Sequence, residues 1–134
     1  MKMSLRHLVK YSKDRYGRHL GLASSAPGRA DFLNTHQDYK GLPVVPVAVK
    51  LRTYMLAVSW GGEFYIESLN LREEGEDAVD RFDPANIEYE GGWFGDYFRA
   101  VAKVFFEKTG VMPSKGLKVV VFSEVPMGAG LASS

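Results

Sequence analysis

Apolar residues near the N-terminus recur at the spacing of an amphipathic helix. The positions that repeat are Leu5, Leu8, Val9, Ser12 and Tyr16. Ser4 precedes them as a plausible cap, and Gly17 ends the pattern. The sequence therefore predicts a helix over residues 4–16.

The middle of the chain favours strands. Residues 20–27 look extended and lead into a turn at Gly28-Arg29. Residues 44–60 are β-branched and apolar, and Gly61-Gly62 separates them from a second short run. Two such runs joined by a Gly-Gly turn predict a hairpin over residues 44–69.

Helical periodicity returns in the second half of the chain and is followed by one more strand. The repeating positions are Phe94, Tyr97, Phe98, Val101, Val104 and Phe105. With Gly110 as the C-terminal cap, they predict a helix over 93–109 whose aromatic residues lie in the core. Residues 72–80 are acidic and predict a solvated loop, and residues 116–125 predict a strand. This order of elements indicates an α+β domain.

Composition narrows the class of protein. The 134 residues are 46% hydrophobic and 25% charged, with a formal net charge of +1, so a globular core is expected. The charge balance gives no indication of nucleic acid or of a membrane surface as partner. Without cysteine there is no disulfide framework, thiolate metal site or thiol nucleophile. No stretch is long and apolar enough to span a bilayer, so we expect a cytoplasmic protein.

The last residues of the chain, 126–134, resemble a loop that cradles phosphate. They follow a predicted strand directly, and Gly128 and Gly130 let a ligand approach the main chain. Small residues then open a predicted helix, whose free N–H groups attract anions. The hydroxyls of Ser133 and Ser134 add donors or a hard oxygen ligand for magnesium. An ordinary turn remains the alternative at this point, since the nucleotide P-loop and the dinucleotide fingerprint are both absent.

A second stretch, residues 26–42, concentrates polar groups that are able to face a ligand. Arg29 follows Pro27-Gly28 and is expected on a stiff turn, where it can neutralise a phosphoryl group. Asp38 can accept hydrogen bonds from two adjacent sugar hydroxyls, and His36 and Tyr39 add polar atoms and a flat face. The alternative is that Asp38 is a turn residue and His36 is merely packed.

Together these two stretches resemble the GHMP small-molecule kinases, and galactokinase in particular. Pro27-Gly28-Arg29 leading to His36-Gln37-Asp38-Tyr39 resembles the galactokinase signature, in which Pro-Gly-Arg precedes Gly-Glu-His-Thr-Asp-Tyr. Residues 126–134 resemble the second motif of the superfamily, Pro-x-Gly-x-Gly-Leu-Ser-Ser-Ser. Gly91-Gly92-Trp93 and Asp96-Tyr97 are similar to the family's middle helix. The order and separation of the motifs fit nearly the whole chain.

The resemblance implies a fold, a reaction and a set of site residues. The fold would be the ribosomal-protein-like N-terminal domain of a GHMP kinase, and the activity would be ATP- and Mg²⁺-dependent phosphorylation of a galactose-like sugar at its anomeric hydroxyl. Arg29 would stabilise the transition state. The implied sugar-binding residues are Thr35, His36, Gln37, Asp38 and Tyr39. The implied ATP-binding residues are Ser68, Gly128, Ala129, Gly130, Leu131, Ala132, Ser133 and Ser134, and Ser134 would also bind magnesium.

Two departures from the family pattern affect the expected substrate. Thr35 replaces the glutamate that contacts the sugar's distal hydroxyl, and Asn34 replaces the glycine before it. The sugar is then galactose with water filling the gap, or another sugar such as N-acetylgalactosamine or arabinose. A sugar sensor without catalysis and an α+β domain that binds a partner remain alternative functions. Ala132, in place of a serine, is expected to matter little, because the backbone N–H does most of the binding there.

The resemblance also implies that some of the machinery lies outside this sequence. In the family, the aspartate that polarises the sugar hydroxyl, the magnesium-binding acid and a third glycine-rich motif all follow the second motif. We therefore expect an incomplete GHMP kinase domain that is inactive alone, exposes apolar surface and pairs with the C-terminal part of the same enzyme.

Overall fold

The computed structural model describes residues 5–33 and 38–127 of the chain. They form a five-stranded sheet with accompanying helices, so the predicted α+β class is confirmed. The helices are α1 (Leu5–Tyr16), α2 (Leu69–Glu73) and α3 (Asp96–Thr109). The strands are β1 (Ala23–Leu33), β2 (Val45–Gly61), β3 (Phe64–Ser68), β4 (Val79–Phe82) and β5 (Gly116–Ser123). Among the described residues, no helix has the length and apolar character needed to cross a membrane.

Strand β5 lies between β2 and β3, in the sheet order β1-β2-β5-β3-β4. It pairs antiparallel with β2 and parallel with β3. The predicted hairpin over 44–69 is therefore wrong, because β2 and β3 follow each other in sequence without pairing. The physical reason lies in β5, whose residues Val119 to Phe122 are all buried, as expected of a central strand covered on both faces.

Gly116 allows β5 to enter the sheet beneath the link between β2 and β3. A Cβ at this position would lie 1.9 Å from the carbonyl carbon of Glu63, a main-chain atom that cannot move aside. Only glycine fits such a close backbone approach. The Gly61-Gly62 pair thus belongs to a crossing over the start of β5 and not to a tight turn.

Alternate residues of β5 pack into two cores on opposite faces of the sheet. Val120 and Phe122 join a cluster that includes Leu8 of α1 and Leu69 of α2. Val119 and Val121 join a second cluster, against which Phe94, Phe98 and Ala102 from the α3 region pack. Since side chains alternate across a strand, α1 and α2 cover one face and α3 covers the other.

The two longer helices lie close to their predicted positions. The structure describes α1 from Leu5, so the predicted cap at Ser4 lies outside the described residues. Gly17 follows α1 with a φ of 72°, and its N–H donates to the carbonyl of Lys13. Helix α3 begins at Asp96 instead of residue 93, and Gly110, with a φ of 67°, follows its last residue.

Helix α3 buries fewer aromatic residues than its pattern predicts. Phe94 and Phe98 pack against the core, but Tyr97 is 59% and Phe105 54% exposed. The prediction that all its aromatics lie in the core is therefore wrong. The reason is that apolar residues occupy more than one side of this helix, while the sheet covers only one.

The acidic stretch 72–80 does not form only a solvated loop. It contains the end of α2 and the first residues of β4, and Asp80 is 2% exposed. This prediction is wrong because Asp80 alternates with the exposed Arg81 and lies on the same buried face of β4 as Phe82. Strand β5 ends at Ser123, two residues before the predicted boundary of 125.

Candidate active site

Arg29 lies within β1, at an irregular point in its pairing with β2. Pro27 lies opposite Arg52 and Arg29 opposite Ala48, so β1 advances two residues while β2 advances four. The predicted turn at Pro27-Gly28-Arg29 is therefore wrong, and the segment is a bulged strand. The edge position of β1 accounts for this, since a strand edge or bulge tolerates a proline that donates no ladder hydrogen bond.

The Arg29 side chain is 55% exposed and forms an ion pair with Asp31. Its Nε lies 3.2 Å from Oδ1 of Asp31, which is two residues further along β1. A guanidinium carries five N–H donors, so the contact through Nε leaves other donors that can bind a phosphate in a fork. Arg29 is thus oriented by its own strand while its cationic end stays accessible.

The predicted sugar-binding segment lies in the connection between β1 and β2. The pairing of Leu33 with Val45 closes this connection. Asp38 begins a 3₁₀ turn that ends at Lys40, and Tyr39 within it is 73% exposed. Thr35, His36 and Gln37 lie outside the described residues. The sugar-binding roles assigned to this segment therefore stay predictions.

Strand β5 leaves the sheet beside the segment that carries Arg29. Ser123 pairs with Thr53, which also pairs with Ala26 on the other side. The next residue, Glu124, donates its N–H to the carbonyl of Arg52 over 2.9 Å. Arg52 is opposite Pro27, so the two motifs begin two strand spacings apart, roughly 10 Å.

The predicted phosphate loop is described only at its start. Val125 is 3% exposed, whereas Met127 is 59% exposed. Gly128, Ala129, Gly130, Leu131, Ala132, Ser133 and Ser134 lie outside the described residues. Their contact with ATP phosphates, and the predicted magnesium ligand Ser134, therefore stay predictions. Within 5–33 and 38–127, no group of three or more His, Cys, Asp or Glu side chains is arranged to hold a metal ion.

Ser68 occupies the end of β3 and caps α2. Its Oγ accepts a hydrogen bond from the N–H of Leu71 over 3.4 Å. It pairs with Val121, two residues before the end of β5, which places it on the other side of β5 from β2. The cap accounts for a serine here, and the predicted nucleotide contact stays a prediction.

Two buried carboxylates were not predicted from the sequence. Glu67 is fully buried and accepts hydrogen bonds from the hydroxyls of Tyr11, over 2.8 Å, and Tyr16. Arg72 forms an ion pair with it, and Nε of Arg15 lies 3.7 Å from its Oε1. Burial, and secondly the hydrogen bond to Glu67, raises the pKa of Tyr11 to about 12. The pKa of Tyr16 is raised by the same two causes in the same order.

The second buried carboxylate, Asp80, forms a bidentate pair with Arg99. Arg99 Nε lies 3.0 Å from Oδ2 and Nη2 lies 2.6 Å from Oδ1. Trp93 donates its ring N–H to the same Oδ1 over 2.8 Å. Both acids belong to sequence positions without any motif, and apart from Arg72, five residues from Glu67, their partners lie far away along the chain. Their full set of partners indicates a structural role.

Several known proteins are similar to this chain in sequence. A family model described as the galactokinase galactose-binding signature matches residues 13–58, which include Arg29 and the segment 34–42. The galactokinase of Thermotoga neapolitana is 38% identical over 109 residues, which are 81% of this chain and 28% of that protein. The galactokinase of Streptococcus suis is 32% identical over 139 residues, covering 98% of this chain and 33% of that protein.

Solved structures match the fold. A structure of Lactococcus lactis galactokinase complexed with galactose superposes with a TM-score of 0.77 at 24% identity, over 97% of this chain and 33% of that one. Methanococcus jannaschii mevalonate kinase gives a TM-score of 0.64 at 18% identity, over 86% and 35% of the two chains. At sequence identities this low, the superpositions show that the folds are alike and no more.

The fold is thus that of the N-terminal domain of a GHMP kinase. The matched signature and the galactokinase relatives confirm the predicted resemblance to the galactokinases. The chain spans about a third of the length of the curated relatives it matches.

Proposed function

We propose that this chain supplies the sugar-binding segment and the phosphate loop of a galactokinase-type kinase. The whole protein would transfer the γ-phosphoryl group of ATP to the anomeric hydroxyl of galactose or a related sugar. One observation carries the proposal: β5 departs toward residues 126–134 beside the bulge of β1 that carries Arg29. A phosphate held by the first motif would then lie within reach of the second.

In the proposed reaction, the anomeric oxygen attacks the γ-phosphorus of ATP. The bond from that phosphorus to the bridging oxygen breaks, ADP leaves, and the hydroxyl proton passes to a base. The resemblance assigns that base to an aspartate outside this sequence. Charge builds on the transferring group in such a step, and Arg29, exposed and oriented by Asp31, would stabilise it.

The remaining residues would bind and orient the two substrates. Asp38 would accept hydrogen bonds from ring hydroxyls, and Thr35, His36, Gln37 and Tyr39 would complete the sugar pocket. Main-chain N–H groups of 128–134 would surround the ATP phosphates, with Ser68 as a further nucleotide contact. Magnesium, when bound, neutralises charge on the phosphates, and the hard hydroxyl oxygen of Ser134 fits it as a ligand.

Thr35 favours two further candidates. A short, uncharged side chain in place of the family glutamate suits a different sugar, such as N-acetylgalactosamine or arabinose. It also suits a sensor that keeps the pocket without performing catalysis.

The experiment that tests the proposal measures sugar-dependent ADP formation. The whole protein is incubated with ATP, magnesium and a panel of hexoses and pentoses, and sugar binding is measured in parallel. ADP that appears only with one class of sugar supports a kinase for that class. Sugar binding without turnover supports the sensor, and neither binding nor turnover contradicts the proposal.

A further inference from the structure

At the end of β5, the side chain of Asn70 makes the hydrogen bonds that a neighbouring strand would otherwise make. The last pair between β3 and β5 is Ser68 with Val121, yet β5 continues for two residues. Asn70 takes over there: its Nδ2 donates to the carbonyl of Ser123 over 2.9 Å, and its Oδ1 accepts from the N–H of Ser123 over 2.8 Å. An amide side chain offers the same donor and acceptor as a peptide unit, so Asn70 continues the ladder past the end of β3.

Hydrogen bonds also fix the end of β5 on its other side, which faces β2. Thr53 Oγ1 and Ser123 Oγ are 2.7 Å apart, and the N–H of Val125 donates to that same Oγ over 3.1 Å. The N–H of Glu124 donates to the carbonyl of Arg52. The main-chain N–H of each residue from 123 to 125 therefore has a hydrogen-bond partner, and Val125 is itself buried.

Arg52 connects this exit to the strand that carries Arg29. Its Nε donates to Ser25 Oγ over 3.0 Å, and its Nη2 donates to the Ser25 carbonyl over 3.2 Å. Ser25 lies two residues before Pro27 on β1. Arg52 on β2 thus contacts both the chain leaving β5 and the part of β1 next to the bulge. Asn70 binds the end of β5 from the opposite side.

We propose that Asn70 is a positioning residue for nucleotide binding, because its amide fixes the direction in which the chain leaves β5 toward residues 126–134. The proposal rests on the function proposed above. Without the amide, the N–H and C=O of Ser123 turn to water, and the exit loses its hold on one side. The loop would then spend less time in its phosphate-binding position. The predicted sugar-binding segment connects β1 to β2, and Asn70 takes no part in the pairing of these two strands.

The test compares nucleotide and sugar affinity in the whole protein carrying Asn70→Ala or Asn70→Asp. Dissociation constants for ATP and for galactose are measured by calorimetry, and hydrogen exchange is followed at the amides of Ser123 and Val125. We expect the ATP Kd of Asn70→Ala to rise roughly five- to thirtyfold, the equivalent of one to two hydrogen bonds. The galactose Kd should stay within about twofold, and exchange at Ser123 should accelerate.

Asn70→Asp tests whether the hydrogen bond donated to the carbonyl of Ser123 is the one that matters. At neutral pH its carboxylate has no hydrogen to donate to the carbonyl of Ser123. A protonated carboxyl group restores that donor. The ratio of variant to wild-type ATP Kd should therefore fall toward one as the pH is lowered. Asn86→Ala, at an exposed turn residue, is the matched control and should leave both constants unchanged.

The outcomes separate this proposal from the one on which it rests. If the wild-type protein binds no ATP, the proposed function fails and the positioning role with it. If the wild type binds ATP and Asn70→Ala binds it equally well, only the positioning role is overturned. Equal losses of ATP and galactose affinity would also overturn it, since they would indicate a general loss of structure.

Discussion

At the β4 edge of the sheet, Arg99 and Asp80 have only 7% and 2% of their side chains exposed, whereas at the β1 edge Arg29 keeps 55% in solvent. Both arginines pair with an aspartate. At the β4 edge the pair is bidentate, and Asp80 also accepts the ring N–H of a tryptophan, so these charges bind each other and stabilise the fold. At the β1 edge Arg29 forms an ion pair with Asp31 through Nε, and its guanidinium stays accessible to solvent. The comparison indicates that the buried charges of this domain stabilise the fold, whereas the exposed charge of Arg29 is available to a ligand.

The hydrophobic residues of the two edges differ in the same way. Ile66 and Phe82, near the β4 edge, are buried in a core. Phe32 near the end of β1 is 75% exposed, and Val47, which pairs with Ala30 of β1, is 47% exposed. Changes at the β4 edge should therefore reduce stability, while changes at the β1 edge should reduce ligand binding and turnover. Four substitutions test this division.

The largest effect is expected for Arg99→Ala. The substitution leaves the Asp80 carboxylate buried without its cation, which typically costs about 3–5 kcal/mol of unfolding free energy. Urea denaturation of the purified protein measures it. Arg81→Ala is the control, since Arg81 is 61% exposed and pairs with Glu63 over 3.5 Å, and it should cost no more than about 1 kcal/mol. Similar losses for both arginines would contradict the contrast.

Arg29→Ala should have the opposite signature. Because its guanidinium is exposed, unfolding free energy should change little. If it stabilises the transition state, kcat of the whole protein should fall on the order of 10²–10³-fold. Steady-state kinetics and urea denaturation are measured on the same preparation. Arg6→Ala, an exposed arginine of α1, is the control, and turnover of Arg29→Ala close to that of Arg6→Ala would remove Arg29 from the mechanism.

Asp38→Ala should affect only one substrate. Hydrogen bonds between a carboxylate and sugar hydroxyls are worth about 1.5–3 kcal/mol, so the KM for sugar should rise roughly 10- to 100-fold. The KM for ATP should stay nearly constant, because the proposed partners of Asp38 are hydroxyl groups. Initial rates with each substrate varied in turn measure both. A higher KM for ATP with an unchanged KM for sugar would show that the sugar pocket is misplaced.

The smallest effect is expected for Tyr11→Phe, which removes one of several partners of Glu67 and should cost about 1 kcal/mol. Its pH dependence is more informative. The pKa of Tyr11 is raised to about 12, from an ordinary value near 10, so the folded state holds this proton longer than the unfolded state. Its contribution is complete below pH 10 and is lost as the pH rises toward 12. Denaturation between pH 9 and about 12 should show a shallower decline for Tyr11→Phe, and parallel curves would contradict the assignment.

The sequence was sufficient for the class of fold and for the resemblance, because both rest on signals that are local. Helical periodicity identifies α1 and α3, and the two glycine-containing motifs carry the resemblance to the GHMP kinases. The order of the strands in the sheet could not be predicted from such local signals. Gly61-Gly62 has the local form of a hairpin turn, and only the insertion of β5, more than fifty residues later, changes its meaning.

The candidate site was predictable only where a motif marks it. The motif marks Arg29 as a candidate, but its setting was predicted as a turn, since Pro-Gly occurs both in turns and in bulged edge strands. Asn70 carries no pattern, and its role emerges only when Ser123 is brought beside it. Asp80 looked like part of a solvated acidic run because its partner Arg99 lies nineteen residues away.

The central claim is that Arg29 and the main chain of residues 128–134 serve the same phosphate. A crystal structure of the whole protein with a non-hydrolysable ATP analogue and a bound sugar tests it most directly. We predict that amides of 128–134 surround the phosphates and that the Arg29 guanidinium lies within hydrogen-bonding distance of the γ-phosphate. A nucleotide bound elsewhere, or an Arg29 side chain directed away from it, would contradict the account.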